Sequence, residues 1–185
     1  TLNCPQLEAH FTGKTVLVTG AAGSIGSGLA TALLQHGVGQ LILLDQAETA
    51  LFELEQHFKQ QTSTTFIEYA IGDICDQQRM RKLFEQYTPQ IIFHAAAYKH
   101  VPLMETNPAE AIRNNIGGTQ IMAQLAAEFG AGQFIMISTD KAVNPTNVMG
   151  ASKRIAEMLV TTLNETQRTA YITTRFGNVL GSNGS

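Results

Sequence analysis

Thr139, Asp140 and Lys141 put a hydroxyl, a carboxyl and an amine on consecutive residues, and Lys153 adds a second amine further along. Such a set can move protons. A free lysine titrates near ~10.4, so Lys141 needs a lowered pKa to act as a base near neutrality. Burial or a neighbouring cation such as Lys153 would supply that shift. Asp140 needs the opposite shift, upward, to serve as a protonated acid, which a closed apolar site provides. If the two side chains touch, they form an ion pair and oppose both shifts. On residue type alone, Asp140-Lys141 reads more readily as an exposed charged loop pair.

A second constellation precedes it. Val16-Leu17-Val18-Thr19 runs into Gly20-Ala21-Ala22-Gly23-Ser24-Ile25-Gly26, a GxxGxxG spacing. Gly20 allows a sharp turn, Gly23 lets backbone amides approach a pyrophosphate, and Gly26 lets the helix pack close to the strand. The helix start at Ser24 and Ile25 presents free N–H groups and positive dipole to phosphates. Asp45 ends the next apolar run, where a carboxylate typically holds the adenosine ribose and repels a 2′-phosphate, the alternative being an aspartate that caps the loop. NAD is therefore expected over NADP. Asp73 and Ile74, after the third run, are candidates to hold adenine. Ala95 and Ala96, in the small-residue stretch Ala95-Ala96-Ala97, would let a cofactor pass closely or a helix pack tightly.

These residues need strands to carry them. The runs Thr15–Thr19, Leu41–Leu44, Thr65–Ile71, Gln90–His94, Gln133–Ser138 and Ala170–Phe176 are continuous and apolar, which predicts strands covered on both faces. Helical spacing between them predicts helices over Ser24–His36, Thr49–Gln60, Asp76–Tyr87, Pro108–Phe129 and Asn147–Asn164. Asn107-Pro108-Ala109-Glu110 reads as an N-cap, a proline at N1 and an acid at N3. Alternating strands and helices predict an α/β fold: a Rossmann-like, doubly wound parallel sheet with helices on both faces. Residues 1–13 are expected to be a peripheral N-terminal segment and 14–185 the dinucleotide-binding domain.

Composition narrows the function classes. Hydrophobic residues make up 44% of the 185 and charged residues 15%, which permits a full core and argues against disorder. A net charge of −3 gives no electrostatic basis for nucleic-acid binding. Cys4 and Cys75 make no disulfide framework, and no Cys/His cluster points to a metal, so a reducing compartment is expected. The uncharged stretch between Lys14 and Asp45 is interrupted by glycines and polar residues, so no membrane contact is expected from this segment. A start at Thr1 and an end at Ser185 read as an excerpt of a longer protein, with a C-terminal substrate lobe largely missing.

Longer motifs are more specific. Asn115-Ile116-Gly117-Gly118-Thr119 resembles the Asn-x-x-Gly-Thr helix motif of the extended short-chain dehydrogenase/reductases. His94-Ala95-Ala96-Ala97-Tyr98-Lys99-His100-Val101-Pro102-Leu103-Met104-Glu105 and the stretch from Ser138-Thr139-Asp140-Lys141 through Asn144-Pro145 to Met149-Gly150-Ala151-Ser152-Lys153 resemble the nucleotide-sugar 4,6-dehydratases of polysaccharide biosynthesis. Arg175-Phe176-Gly177-Asn178-Val179-Leu180-Gly181-Ser182 continues the likeness. One departure is plain. The superfamily's Tyr-x-x-x-Lys places a phenol four residues before the lysine, and here that position is Met149 before Lys153. A thioether cannot take a proton from an alcohol. The configuration-retaining UDP-N-acetylglucosamine 4,6-dehydratases are similar in carrying methionine there, so the chain most resembles that group.

The resemblance implies a lyase for surface polysaccharide or glycan biosynthesis. NAD+ takes hydride from C4 of a UDP-N-acetylhexosamine, a base removes the C5 proton, an acid protonates the departing C6 hydroxyl, and hydride returns to C6. It implies Thr139 at the C4 hydroxyl, Asp140 as acid, Lys141 as base and Lys153 at the nicotinamide ribose. Lys99, after the fourth run, reads equally as a border of the sugar pocket and as a surface lysine, and Asn178 resembles a substrate-contacting asparagine or forms an Asn turn; Asn115 and Met149 are further substrate-binding candidates. The resemblance also implies a cytoplasmic location, on the membrane's cytoplasmic side if spans precede Thr1, and a homo-oligomer for the full-length protein. His94 reads as a strand-end packing residue, and Glu105 as a helix or loop charge. Two alternatives stay open: a nucleotide-sugar 4-epimerase, disfavoured by Met149 and Lys141, and a non-catalytic NAD-binding domain.

Overall fold

The computed structural model describes residues 5–60 and 65–177. Six parallel strands form one sheet in the order β3-β2-β1-β4-β5-β6. They are β1 (Thr15–Thr19), β2 (Gln40–Asp45), β3 (Phe66–Ile71), β4 (Ile91–His94), β5 (Gln133–Thr139) and β6 (Ala170–Phe176). The helices are α1 (Pro5–Phe11), α2 (Ser24–Gln35), α3 (Glu48–Lys59), α4 (Gln77–Tyr87), α5 (Val101–Thr106), α6 (Pro108–Ala111), α7 (Thr119–Glu128) and α8 (Val148–Thr166). The expected strands and the doubly wound parallel architecture are all present. The strand order reverses between β1 and β4, which opens a crevice at their carboxyl ends.

Alternate residues of the central strands feed two cores. Leu17, Ile42, Ile92, Phe134 and Met136 pack against Met80 and Phe84 of α4, Met122 of α7 and Val160 of α8. Val16, Val18, Leu41, Leu43 and Ile91 pack on the other face against Leu33 of α2 and Leu51, Leu54 and Phe58 of α3. Phe11 of α1 joins this second core, and its ring lies 6.2 Å from that of Phe93. The segment expected to be peripheral is thus anchored from its helix onward, and Thr12 bridges Val38.

Two-sided coverage holds for β1 and β2 but not for the β5–β6 side. β5 alternates, with Phe134, Met136 and Ser138 buried, and Ile172 of β6 is 42% exposed. Among the described residues, α1 to α3 cover the other end of that face.

The predicted Pro108–Phe129 helix is one rod with a wide turn in it. Ile112–Gly118 is π-helical between α6 and α7, and the joining residues keep helical backbone angles. Here a Cβ on Gly118 would come within 2.5 Å of Ile74 Cδ1, so glycine is what lets the rod approach the β3 exit. Asn107 does not cap α6: its amide donates to Leu103 O and Thr106 Oγ1, closing α5 instead. α8 is capped by Asn147, whose Oδ1 accepts from Gly150 N at 2.7 Å. Among the described residues, no helix is long and apolar enough to cross a membrane.

Candidate active site

The carboxyl ends of β1, β2, β4, β5 and β6 border a cleft of about 600 Å³. Gly20, Gly23, Ser24, Ile25 and Gly26 form one wall, with Asp45, Asp73 and Ile74 at one end and Lys99, Thr139, Lys141, Met149 and Lys153 at the other. Two stretches far apart in sequence, the glycine turn and the Thr139–Lys153 region, therefore face one space.

The glycines play unequal parts. Gly20 has φ +66°, and a Cβ there would sit 2.7 Å from the Ala96 backbone. On Gly26 a Cβ would meet Gly20 O at 2.1 Å, whereas on Gly23 it would meet that oxygen at 3.3 Å. Gly20 and Gly26 are required by the fold, while Gly23 keeps the loop's outer surface low. The N-cap of α2 has no side-chain hydrogen bond and its first turn carries no acid. This cradle fits a pyrophosphate.

Asp45 is held rigidly: Oδ2 accepts from Ala22 N and Oδ1 from Ala47 N, both at 2.9 Å. Each oxygen keeps a further lone pair for a ribose hydroxyl. Asp73 Oδ1 accepts from Cys75 N and Oδ2 from Arg113 Nη2, each at 2.8 Å. Burial pushes the Asp73 carboxyl up, but these donors outweigh it and hold it below the usual range.

A hydrogen-bonded chain runs beneath the cleft. Thr119 Oγ1 donates to Asn115 O at 2.7 Å, so it accepts from His94 Nε2, 2.9 Å away. His94 Nδ1 then accepts from Thr19 Oγ1 at 2.8 Å, and Thr19 Oγ1 accepts from Ala96 N at 3.3 Å. Burial, with the nearby Lys153 charge, pushes the His94 pKa down to about 3, so the ring is neutral. His94 does more than pack: it ties the start of the glycine turn to the π-helical turn.

Asn115 lies at one remove from the cleft and is fully buried. Its Oδ1 accepts from Tyr98 N at 2.8 Å, and its amide donates to Tyr98 O and Ser152 Oγ. It therefore supports the Tyr98–Lys99 segment from below and is not among the residues that line the cleft. Asn178 lies outside the described residues. Lys99, His100 and Met149 line the cleft. Glu105 is not a plain surface charge, because its Oε1 accepts from Val148 N at 2.7 Å and so caps α8 from α5.

Asp140 and Lys141 touch. Lys141 Nζ lies 3.3 Å from Asp140 Oδ1, and Thr139 Oγ1 donates to the same oxygen at 2.9 Å. Thr139 and then Lys141 hold the Asp140 carboxyl below its ordinary range, opposite to the shift an acid needs. Lys153 is 4% exposed and donates to Ile137 O at 2.7 Å. Burial lowers its pKa to about 8, against the attraction of Glu157.

Sequence reasoning passed over Tyr98, which lines the cleft beside Lys99, although it sat inside a recognised motif. It also passed over Ser138, Glu157 and Arg175, whose side chains meet behind Lys153. Among the described residues, no group of His, Cys, Asp and Glu side chains is gathered as a metal site.

The family described as polysaccharide biosynthesis protein matches residues 16–185. The capsular polysaccharide biosynthesis protein CapD of Staphylococcus aureus is 46% identical over 187 residues, covering 100% of this chain and 31% of that protein. A UDP-N-acetylglucosamine 4,6-dehydratase (inverting) of Campylobacter jejuni is 36% identical over 179 residues, covering 95% and 52%. Among solved structures, UDP-glucose 4-epimerase from Brucella ovis in complex with NAD matches with a TM-score of 0.78 at 26% identity, covering 92% of this chain and 54% of that one. The chain thus spans about a third to about half of the length of these curated relatives.

Proposed function

The chain belongs to the polysaccharide biosynthesis protein family, of the short-chain dehydrogenase/reductase type, and from that premise we propose that it is the cofactor-binding part of an NAD-dependent UDP-N-acetylhexosamine 4,6-dehydratase. UDP-N-acetylglucosamine is the substrate we favour. The observation that carries this reading is the meeting of a fitting pyrophosphate cradle with Thr139, Lys141, Met149 and Lys153 around one cleft.

Bound NAD would supply the hydride acceptor and donor. The protein's own residues do the rest. Lys153, buried and hydrogen-bonded to Ile137 O, presents a fixed positive charge to the ribose region. Thr139 Oγ1, which donates to Asp140 Oδ1, would relay the C4 hydroxyl proton to that carboxylate, and Asp140 would pass it to the C6 hydroxyl as water leaves. Lys141 would take the C5 proton and return one to C5 as C6 is reduced. The Asp140–Lys141 pair must open for both roles, so substrate binding has to separate the two side chains. Met149 stands where a phenol would serve an epimerase, which supports the dehydratase reading and retention at C5. The reading also places the reaction at the cytoplasmic side of the membrane, where the nucleotide sugar would be drawn for glycan assembly.

The test is to incubate the full-length protein with UDP-N-acetylglucosamine in deuterated water and resolve the product by NMR. A 4-keto-6-deoxy sugar with unchanged C5 configuration is expected. An inverted centre would keep the lyase and reject retention. A 4-epimer would make the protein an epimerase, and an unchanged sugar with bound NAD would make it a non-catalytic domain.

A further inference from the structure

Glu157 is 3% exposed, yet it is a carboxylate. It sits on α8 four residues after Lys153, one helical turn along the same face. Its Oε1 accepts from Ser138 Oγ at 2.6 Å and from Arg175 Nε at 2.8 Å. Its Oε2 accepts from Arg175 Nη2 at 2.6 Å and from Arg154 Nη1 at 3.3 Å. Both oxygens are thereby fully used.

The strands it grips matter. Ser138 and Arg175 are direct partners in the β5–β6 register, and the next pair is Thr139 and Phe176. That pair lines the cleft. Gly177 follows Phe176 and lies against Asp140, since a Cβ on it would be 3.4 Å from Asp140 Oδ2. One buried carboxylate therefore clamps the Ser138–Arg175 rung, next to the Thr139–Phe176 rung at the cleft.

We propose that Glu157 is a positioning residue: it fixes the Thr139 and Phe176 strand ends and holds the Lys153 amine in its charged form. Next to that amine His94 on β4 is neutral and feels the Lys153 charge. Lys141 lines the same cleft, and Arg175 of β6 and Arg154 of α8 are both bound to Glu157. Glu157 is the acid set among these groups, and burial alone favours the uncharged amine. The weight of that charge for catalysis rests on the function proposed above, but its effect on Lys153 does not.

The test follows the Lys153 side chain directly. In full-length protein carrying ¹³C-labelled lysine, the Lys153 Cε resonance is identified by its loss in Lys153→Arg and titrated by NMR. Glu157→Gln removes the negative charge and should lower the midpoint by about one pH unit or more. Arg175→Gln removes a positive charge and should raise it. A merely structural role would destabilise both variants without opposite displacements. An unmoved midpoint in Glu157→Gln, or displacement in the same direction in both variants, would overturn the proposal. If Glu157→Gln does not fold, Arg175→Gln decides alone: a raised midpoint supports the proposal and an unmoved or lowered one rejects it. Opposite displacements in a protein that dehydrates no sugar would uphold the positioning role and reject the dehydratase reading.

Discussion

Lys141 Nζ lies 3.3 Å from Asp140 Oδ1, so the proposed base and the proposed acid neutralise each other in the absence of substrate. Their side chains are 38% and 59% exposed, which makes the pair weak and easily opened. An ion pair is an inactive arrangement for proton transfer, since the carboxyl stays ionised and has no proton to give.

Lys141→Met should separate two steps of the reaction. The variant should still form 4-keto sugar, while deuterium no longer enters C5 and the C6 hydroxyl is retained. The loss in overall dehydration should be ~10²–10⁴-fold, the usual range for a missing general base. Met149→Tyr in the same background should not restore activity. Product analysis by NMR checks both, and near-normal dehydration by Lys141→Met would move the base elsewhere.

Asp45 bears on cofactor choice. Its two oxygens are fixed by Ala22 N and Ala47 N, so a 2′-phosphate would meet a carboxylate that cannot swing away. NAD+ should bind more tightly than NADP+ by calorimetry. Asp45→Asn should weaken NAD+ about tenfold and narrow the difference, because the amide offers one acceptor oxygen and cannot hold both backbone donors. Equal or tighter NADP+ binding by the unaltered protein would remove Asp45 from the ribose site.

Gly26→Ala and Gly23→Ala should differ in kind. The first forces a Cβ to within 2.1 Å of a backbone oxygen and should cost more than ~2 kcal/mol of stability. The second meets only a 3.3 Å contact and should fold nearly normally, losing NAD+ affinity instead. Chemical denaturation and calorimetry on both variants separate the two effects.

His94 makes stability depend on pH. Its folded pKa is about 3 against an ordinary 6.5, so below pH 6.5 the unfolded chain takes up a proton that the folded ring refuses. The sign is a loss of stability as pH falls from about 6.5 towards about 3, at ~1.4 kcal/mol per unit well inside that window, and no contribution above it. His94→Gln should be less stable at pH 7 by ~1–3 kcal/mol, from broken buried hydrogen bonds. The gap between the two proteins in urea melts should shrink as the pH is lowered to 4. A constant gap would mean that His94 is not the titrating group.

The sequence by itself determined the sheet, because buried parallel strands and amphipathic helices are written in local periodicity. It determined the cradle as well, since Gly20, Gly23 and Gly26 lie within one turn, and a turn is a local object. The Asp140–Lys141 contact was foreseeable as a possibility, because neighbours in sequence can always meet. What only the tertiary structure decided are the pairings between distant side chains. Asn115 belongs to a motif, but its amide is spent on Tyr98 and Ser152, and no spacing announces that. His94 finds Thr19 and Thr119 only because β4 pairs with β1 and a π-helical turn passes over their ends. Glu157 resembles any polar residue on a long helix until β5 and β6 bring Ser138 and Arg175 beneath it. Periodicity records which face of an element is covered. The partner of a buried polar group is set by where other elements dock, and hydrogen bonding at 2.6–3.0 Å responds to that placement alone.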